Sequence, residues 1–313
     1  MSKALRFPRI LLVTALFAAF LLPLVSCSAS PYANAVPISF SADGVTADGA
    51  GISVSTDADG AYTVTISAPG AYRLSGVCEN GAVVVDAADE VTLVLDGLTL
   101  THPTGACIAS VGEGNLTVHA LSGTESALSD GAGYVFPDAV TDEPDAVIFA
   151  KSDLTLSGDS DGICHITARY KTGAATKDDL TVTGGNYTVS SVRHGLRGRD
   201  SVTVSGGLLA IEAAADGIRT TNDNPGKEGT IAVTGGTVQI SAGDEGLQSI
   251  ADVTISGGAL TINSTNNGVK TDAGAFTVTG GSVVIDAVDT PLLVPETIHT
   301  GGTLTVNGEN ASK

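Results

Sequence analysis

Apolar and polar positions alternate along this chain in short runs, and the runs come back at a fixed interval. Gly-Gly pairs stand at 184/185, 206/207, 235/236, 257/258, 280/281 and 301/302, with steps of 22, 29, 22, 23 and 21 residues. Two positions before the first five pairs lie Val182, Val204, Val233, Ile255 and Val278. Two and four positions after the second glycine of the same five lie Tyr187/Val189, Leu209/Ile211, Val238/Ile240, Leu260/Ile262 and Val283/Ile285. This period of two predicts strands. A further aliphatic residue follows eleven positions after four of the pairs, at Leu196, Ile218, Leu247 and Val269. Each repeat therefore predicts three short strands joined by glycine-containing turns.

A unit of this length cannot bury its apolar side alone, but stacked units share one continuous core. The pattern predicts an all-β fold, a right-handed parallel β-helix with coils of about 22 residues. An antiparallel sandwich would show turn signals every ~8–12 residues without one residue class recurring at the longer period. The step of 29 marks a seven-residue excess, "NDNPGKE", in one coil. Upstream, "GAVVVDAADEVTLVLDGLTL" and "DAVIFAKSDLTLSG" carry the same rhythm less regularly, so the solenoid is expected over residues 71–310. Residues 46–70 read as an N-terminal cap or first strands. Residues 27–45, small, polar and proline-containing, read as a flexible tether.

The first residues change the picture from a fold to a location. Lys3, Arg6 and Arg9 precede an apolar run from Ile10 to Leu22, as in a secretory signal, and the run is short for a membrane span of about 20 residues. Leu24-Val25-Ser26-Cys27 resembles the bacterial lipobox, which implies cleavage of residues 1–26 and lipidation of Cys27. The resemblance places the protein on the extracellular face of the bacterial cell membrane, held only through a lipid anchor. Losing the signal removes three positive and no negative side chains, taking the net charge from −19 to −22. Nucleic acid is therefore excluded as a partner, since phosphate binding needs a basic surface. Cys78, Cys107 and Cys164 remain, each in an apolar context, and read as small buried fillers, with a Cys78–Cys107 bridge left open. Trp is absent and aromatics make up 4% of the chain, so sugar stacking on aromatic faces is not expected to dominate.

In a β-helix, residues one repeat apart stand about 4.8 Å apart in space, so chemistry is read down columns. One column holds His194, Asp216, Glu245 and Asn267, with Asp244 beside Glu245. Stacked carboxylates repel unless a cation lies between them, and Ca²⁺ takes six to eight oxygen ligands. Asp216 and Asp223 are accordingly read as metal ligands at one turn, with the insertion closing over that side. A second acidic row holds Asp178 and Asp200, with Asp272 near the same level of a later coil. A single Asp at a glycine turn also serves as a turn former that bonds its own backbone. A basic column, Arg197, Arg219, Gln248 and Lys270, lies three residues beyond the first column. It reads either as salt bridging to the acids or, together with His194 and Arg199, as a grip on sugar carboxylates and hydroxyls.

The ordered run from "PGAYRLSG" through "LSGTESALSD" and "KSDLTLSG" to "TKDDLTVTGG", with "GLRGRDSVTVSGG" and "AADGIRTTND", resembles the bacterial surface family of carbohydrate-binding domain-containing proteins. The resemblance covers roughly residues 55–290. It implies a right-handed parallel β-helix similar in shape to pectate lyases, calcium sites, and binding of cellulose and acidic plant polysaccharides. It puts Asp178, Asp200 and Asp216 at calcium positions. "YKTGAATKD" lacks the Asp-Gly-Ile usual in that coil, and His194 stands where Asp is common. The expectation is a monomeric, noncatalytic, calcium-dependent polysaccharide-binding protein that favours uronate-containing or plant cell-wall glycans. The alternatives are a surface spacer stiffened by calcium and a polysaccharide lyase in which Lys177, Arg199 or Arg219 serves as base.

Overall fold

In the computed structural model, which describes residues 31–136, 138 and 140–311, every regular element is a β-strand. The strands wind into a parallel β-solenoid of about 11 turns with about 23 residues per turn. The signal segment and Cys27 lie outside the described residues. One turn consists of Asp179–Val182, Asn186–Ser191 and Leu196–Gly198, and the next of Ser201–Val204, Leu208–Ala213 and Ile218–Thr220. Stacking them makes three faces. The inward registers are Leu180, Val202, Ile231, Val253 and Phe276 on the first face. They are Tyr187, Leu209, Val238, Leu260 and Val283 on the second, and Leu196, Ile218, Leu247 and Val269 on the third. The long strands Gly70–Cys78 and Val91–His102 run round the corner between the first two faces and join them into one sheet.

These aligned aliphatic columns form one core along the whole solenoid. Tyr187 is fully buried within it, and its hydroxyl donates to the carbonyls of Ser157 and Val118 at 2.6 and 2.9 Å, so its polar end is not left orphaned. The second glycine of each pair adopts a positive φ, between 69° and 80°, which turns the chain from the first face to the second. A different glycine column opens the third face. A Cβ on Gly217 would meet Ile240 Cγ2 at 2.3 Å and the carbonyl of Gly246 at 2.7 Å. Gly217→Ala is therefore expected to cost about 1–3 kcal/mol by overpacking. An unchanged urea midpoint would show that the turn yields more easily than this packing implies.

Two expectations are corrected. Residues from Val36 onward belong to the solenoid and not to a tether, because Val36–Ser41 pairs in parallel with the Tyr72–Gly76 stretch and turns Ile38 and Phe40 into the core. Cys78, Cys107 and Cys164 are all free and buried, which closes the option of a Cys78–Cys107 bridge. Burial pushes the Cys107 thiol up to about 12, and it donates instead to backbone carbonyls. The hairpin of Ile52–Thr56 and Tyr62–Ile66 ends the third face on the N-terminal side. At the other end Glu309–Asn310 folds back on Thr303–Val306.

Candidate functional site

The outward register of the third face runs Ala109, Phe149, Ala175, Arg197, Arg219, Gln248, Lys270 and Leu293. Its first three members are buried although they face away from the core. The excursion 131–145 accounts for this. It leaves the strand Glu125–Asp130, is bonded to the backbone of Thr104 through the Val135 amide, and returns before Ala146. Phe149, Ala175 and Ala146 form a small apolar cluster of their own at that end of the face. The excursion brings Tyr134 and Phe136 against Tyr170, with the two tyrosine rings stacked at 4.2 Å. Tyr134 is tied down by donating its hydroxyl to Asp130 and to the carbonyl of Ala146.

Where the excursion ends, the outward row becomes cationic. A pocket of about 300 Å³ lies there, lined by Lys171, Lys177, Arg193, Arg197 and Arg199 with Thr176 and Thr221. Twelve of the chain's 15 Lys and Arg residues follow the signal segment, and five of those twelve meet at this one pocket. Three acids of the excursion, Asp142, Glu143 and Asp145, form its wall. Arg197 grips Asp145 in a two-pronged contact at 2.9 and 2.6 Å, and Lys177 reaches Glu143 at 2.6 Å. Arg193 carries no ion pair among the described residues. Lys171 stands 5.0 Å from the Tyr170 ring centre, so the aromatic group and the cations share an edge.

Beside the pocket, the turn from the third face to the first stacks acids. Asp153, Asp178 and Asp179 bring ligand oxygens within 4.8 Å of one another. Burial and then the charges of Asp153, Asp179 and Asp200 push the Asp178 carboxyl above its ordinary value. Its carboxylate accepts no hydrogen bond among the described residues. A crowd of oxygens without enough counter-charge fits a divalent cation such as calcium. Asp200 sits one turn on, where Arg199 lies 3.5 Å away and the Asn222 amide donates to it at 2.7 Å. Asn222 opens the inserted loop, so the insertion borders this acidic turn and not the side of Asp216.

The column of His194, Asp216, Glu245 and Asn267 lies at the opposite edge of the third face and is buried. His194 contacts Asp216 at 3.2 Å, Arg219 donates to Asp216 at 2.9 Å, and Glu245 accepts from Asn267 and Lys270 at 3.1 and 3.2 Å. Burial opposes ionisation of Asp216, but the neighbouring His194 and Glu245 side chains and the Arg219 guanidinium, which donates to it, outweigh burial and hold its carboxyl well below the usual carboxylate range. Burial and the neighbouring Asp216 push Glu245 the other way. Asp216, Asp244 and Glu245 also bring oxygens within 4.8 Å, yet those of Asp216 and Glu245 are already engaged by cationic and amide donors. The expected pairing of Asp216 with Asp223 is corrected: the strand Ile218–Thr220 separates them, and Asp223 is exposed on the insertion. Asp272 is exposed at the edge that carries Asp200 and joins no carboxylate group among the described residues.

The profile of carbohydrate-binding domain-containing proteins matches residues 59–312. The chain belongs to this family. A carbohydrate-binding domain-containing protein of Acetivibrio thermocellus is 34% identical over 157 residues, covering 49% of this chain and 52% of its own length. The chain thus spans about half of that relative. The solved structure of a polysaccharide lyase-like protein from C. thermocellum, a gadolinium derivative, superposes with a TM-score of 0.68 at 31% identity, over 87% of this chain and 96% of that one.

Several residues of this region escape the sequence reading. Tyr134 and Phe136 lie on the irregular excursion, where no repeat signals them; Lys171 and Arg193 do keep the 22-residue interval, with the Arg193 amide bonded to the Lys171 carbonyl, but stand one residue before the His194 column. Asp153 was missed because it lies 26 residues before Asp179, off the 22-residue interval. Of the residues assigned to sugar binding, Arg197 and Arg199 reach the pocket, and Arg219, Gln248 and Lys270 continue its row. His194 lies buried beneath.

Proposed function

We propose that this protein is a noncatalytic, monomeric glycan-binding protein, lipidated at Cys27 and held on the extracellular face of the bacterial membrane. It takes uronate-containing polysaccharide on its third face, with calcium at the acidic turn. One observation carries this reading: a chain whose mature net charge is −22 gathers five of its twelve cations in one pocket. An acidic glycan is repelled by the rest of the surface and is welcome only where arginine forks can take its carboxylates. Thr176 and Thr221 complete the lining of the pocket, and the Tyr170 ring lies beside it next to Lys171. Asp153, Asp178 and Asp179, with Asp200 close by, would hold a calcium ion able to bridge to a further carboxylate.

Lyase chemistry is the second reading, favoured by the likeness to a polysaccharide lyase-like protein. Against it, Lys177 is engaged as a donor to Glu143, and Arg199 lies against Asp200. The test is retention of the protein from residue 28 onward on polygalacturonate, xylan and cellulose, with calcium and with chelator. The expected result is retention on polygalacturonate that calcium strengthens and chelator weakens, with no rise in the absorbance of unsaturated sugar ends. Retention on cellulose alone, or on nothing, would sink the proposal, and a rise in absorbance would replace it with the lyase.

A further inference from the structure

Resting on that reading, we infer that the third face captures the end of an acidic glycan chain and excludes its interior. The outward row of this face has two unlike halves. On one side of Arg197 it is covered: Ala175 and Phe149 are buried under the segment that ends at Asp145. On the other side the cover ends: Arg219 and Lys270 are part-exposed, each bonded to a buried acid beneath, with the buried Gln248 between them, at successive strand spacings of about 4.8 Å, comparable with one sugar residue, up to the exposed Leu293. A polymer lying along the row from Lys270 towards Arg197 runs into the excursion.

The barrier is electrostatic as well as steric. Asp142, Glu143 and Asp145 stand where the next sugar of a continuing chain would lie, and their charge repels its carboxylate. Asp145 already occupies the fork of Arg197 as a carboxylate would. Arg193 and Arg199 are left to hold the last uronate, and the sugars behind it follow Arg219 and Lys270. A site of this shape has room for one terminus and no exit on the far side.

The test compares intact polygalacturonate with the same mass of it cut into fragments still long enough to span the row. Protein bound per gram at saturation is expected to rise by the same factor as the number of chain ends. Capacity that stays constant per gram while binding persists would overturn end capture and leave the proposed function standing. Absence of binding to either form would overturn both. A second measurement uses the variant D142N/E143Q, which keeps the shape of the wall and removes two of its charges. Increased binding to the intact polymer is expected, and an affinity for it equal to that of the wild type would overturn the repulsive stop.

Discussion

Asp216→Ala is expected to lower stability by about 3–5 kcal/mol, the usual cost of leaving a buried charge partner alone. Asp216 is 1% exposed and accepts from Arg219 while touching His194 and Glu245. Without it, a guanidinium and an imidazole face a void beside the buried Glu245. The damage should be local. In a solenoid each turn contacts only its neighbours, and the backbone ladder here runs from the Gly195 amide to the Asp216 carbonyl and from the Gly217 amide to the Glu245 carbonyl. Hydrogen exchange should therefore accelerate first at Leu196–Gly198, Ile218–Thr220 and Leu247–Ser249. The sign of the pH dependence follows from the depressed carboxyl: the stabilisation is complete above about pH 4 and is lost as pH falls further, so variant and wild type converge in acid. A variant as stable as the wild type at neutral pH would show that this ladder carries no structural weight.

Replacing Arg193 and Arg199 together by alanine should weaken binding of oligogalacturonate by about a hundredfold or more, since each hydrogen bond to a charged group contributes about 1.5–3 kcal/mol. Neither side chain supports the core: Arg193 is exposed and Arg199 half-exposed, so thermal unfolding should not move. Arg73→Ala is the control, because Arg73 pairs with Asp96 away from the pocket. The wild-type affinity should fall with added salt, and the double variant should show a shallower dependence. Calorimetric titration settles it, and a double variant that binds as tightly as the wild type would remove the pocket from consideration.

The solenoid was legible because its physics is periodic. Inward aliphatics at a spacing of two and glycine pairs at 22 can be met by few folds, and the columns they predicted are the registers that pair. The site was only half legible. Arg197, Arg219, Gln248 and Lys270 stack as expected because they obey the repeat. The acidic wall, Tyr134 and Phe136 do not obey it: they reach the third face on an irregular excursion whose path depends on tertiary contacts such as Tyr134 with Asp130, while Arg193 keeps the repeat one residue before the His194 column. The insertion was recognised, but its edge was misplaced, since spacing alone does not say which corner of a turn an added loop occupies. The tether boundary was drawn too late for a plainer reason. "PISFS" already alternates in the strand pattern, but proline and serine beside it read as unstructured chain.

The shared register of the turns from Asp179 to Ala287 also bears on how such a protein changes its reach. Duplicating one whole turn in frame lengthens the uncovered half by a single rung and leaves the walled end untouched. On the proposed reading, the number of sugars gripped could then be adjusted by copying DNA, independently of the residues that decide which sugar is accepted.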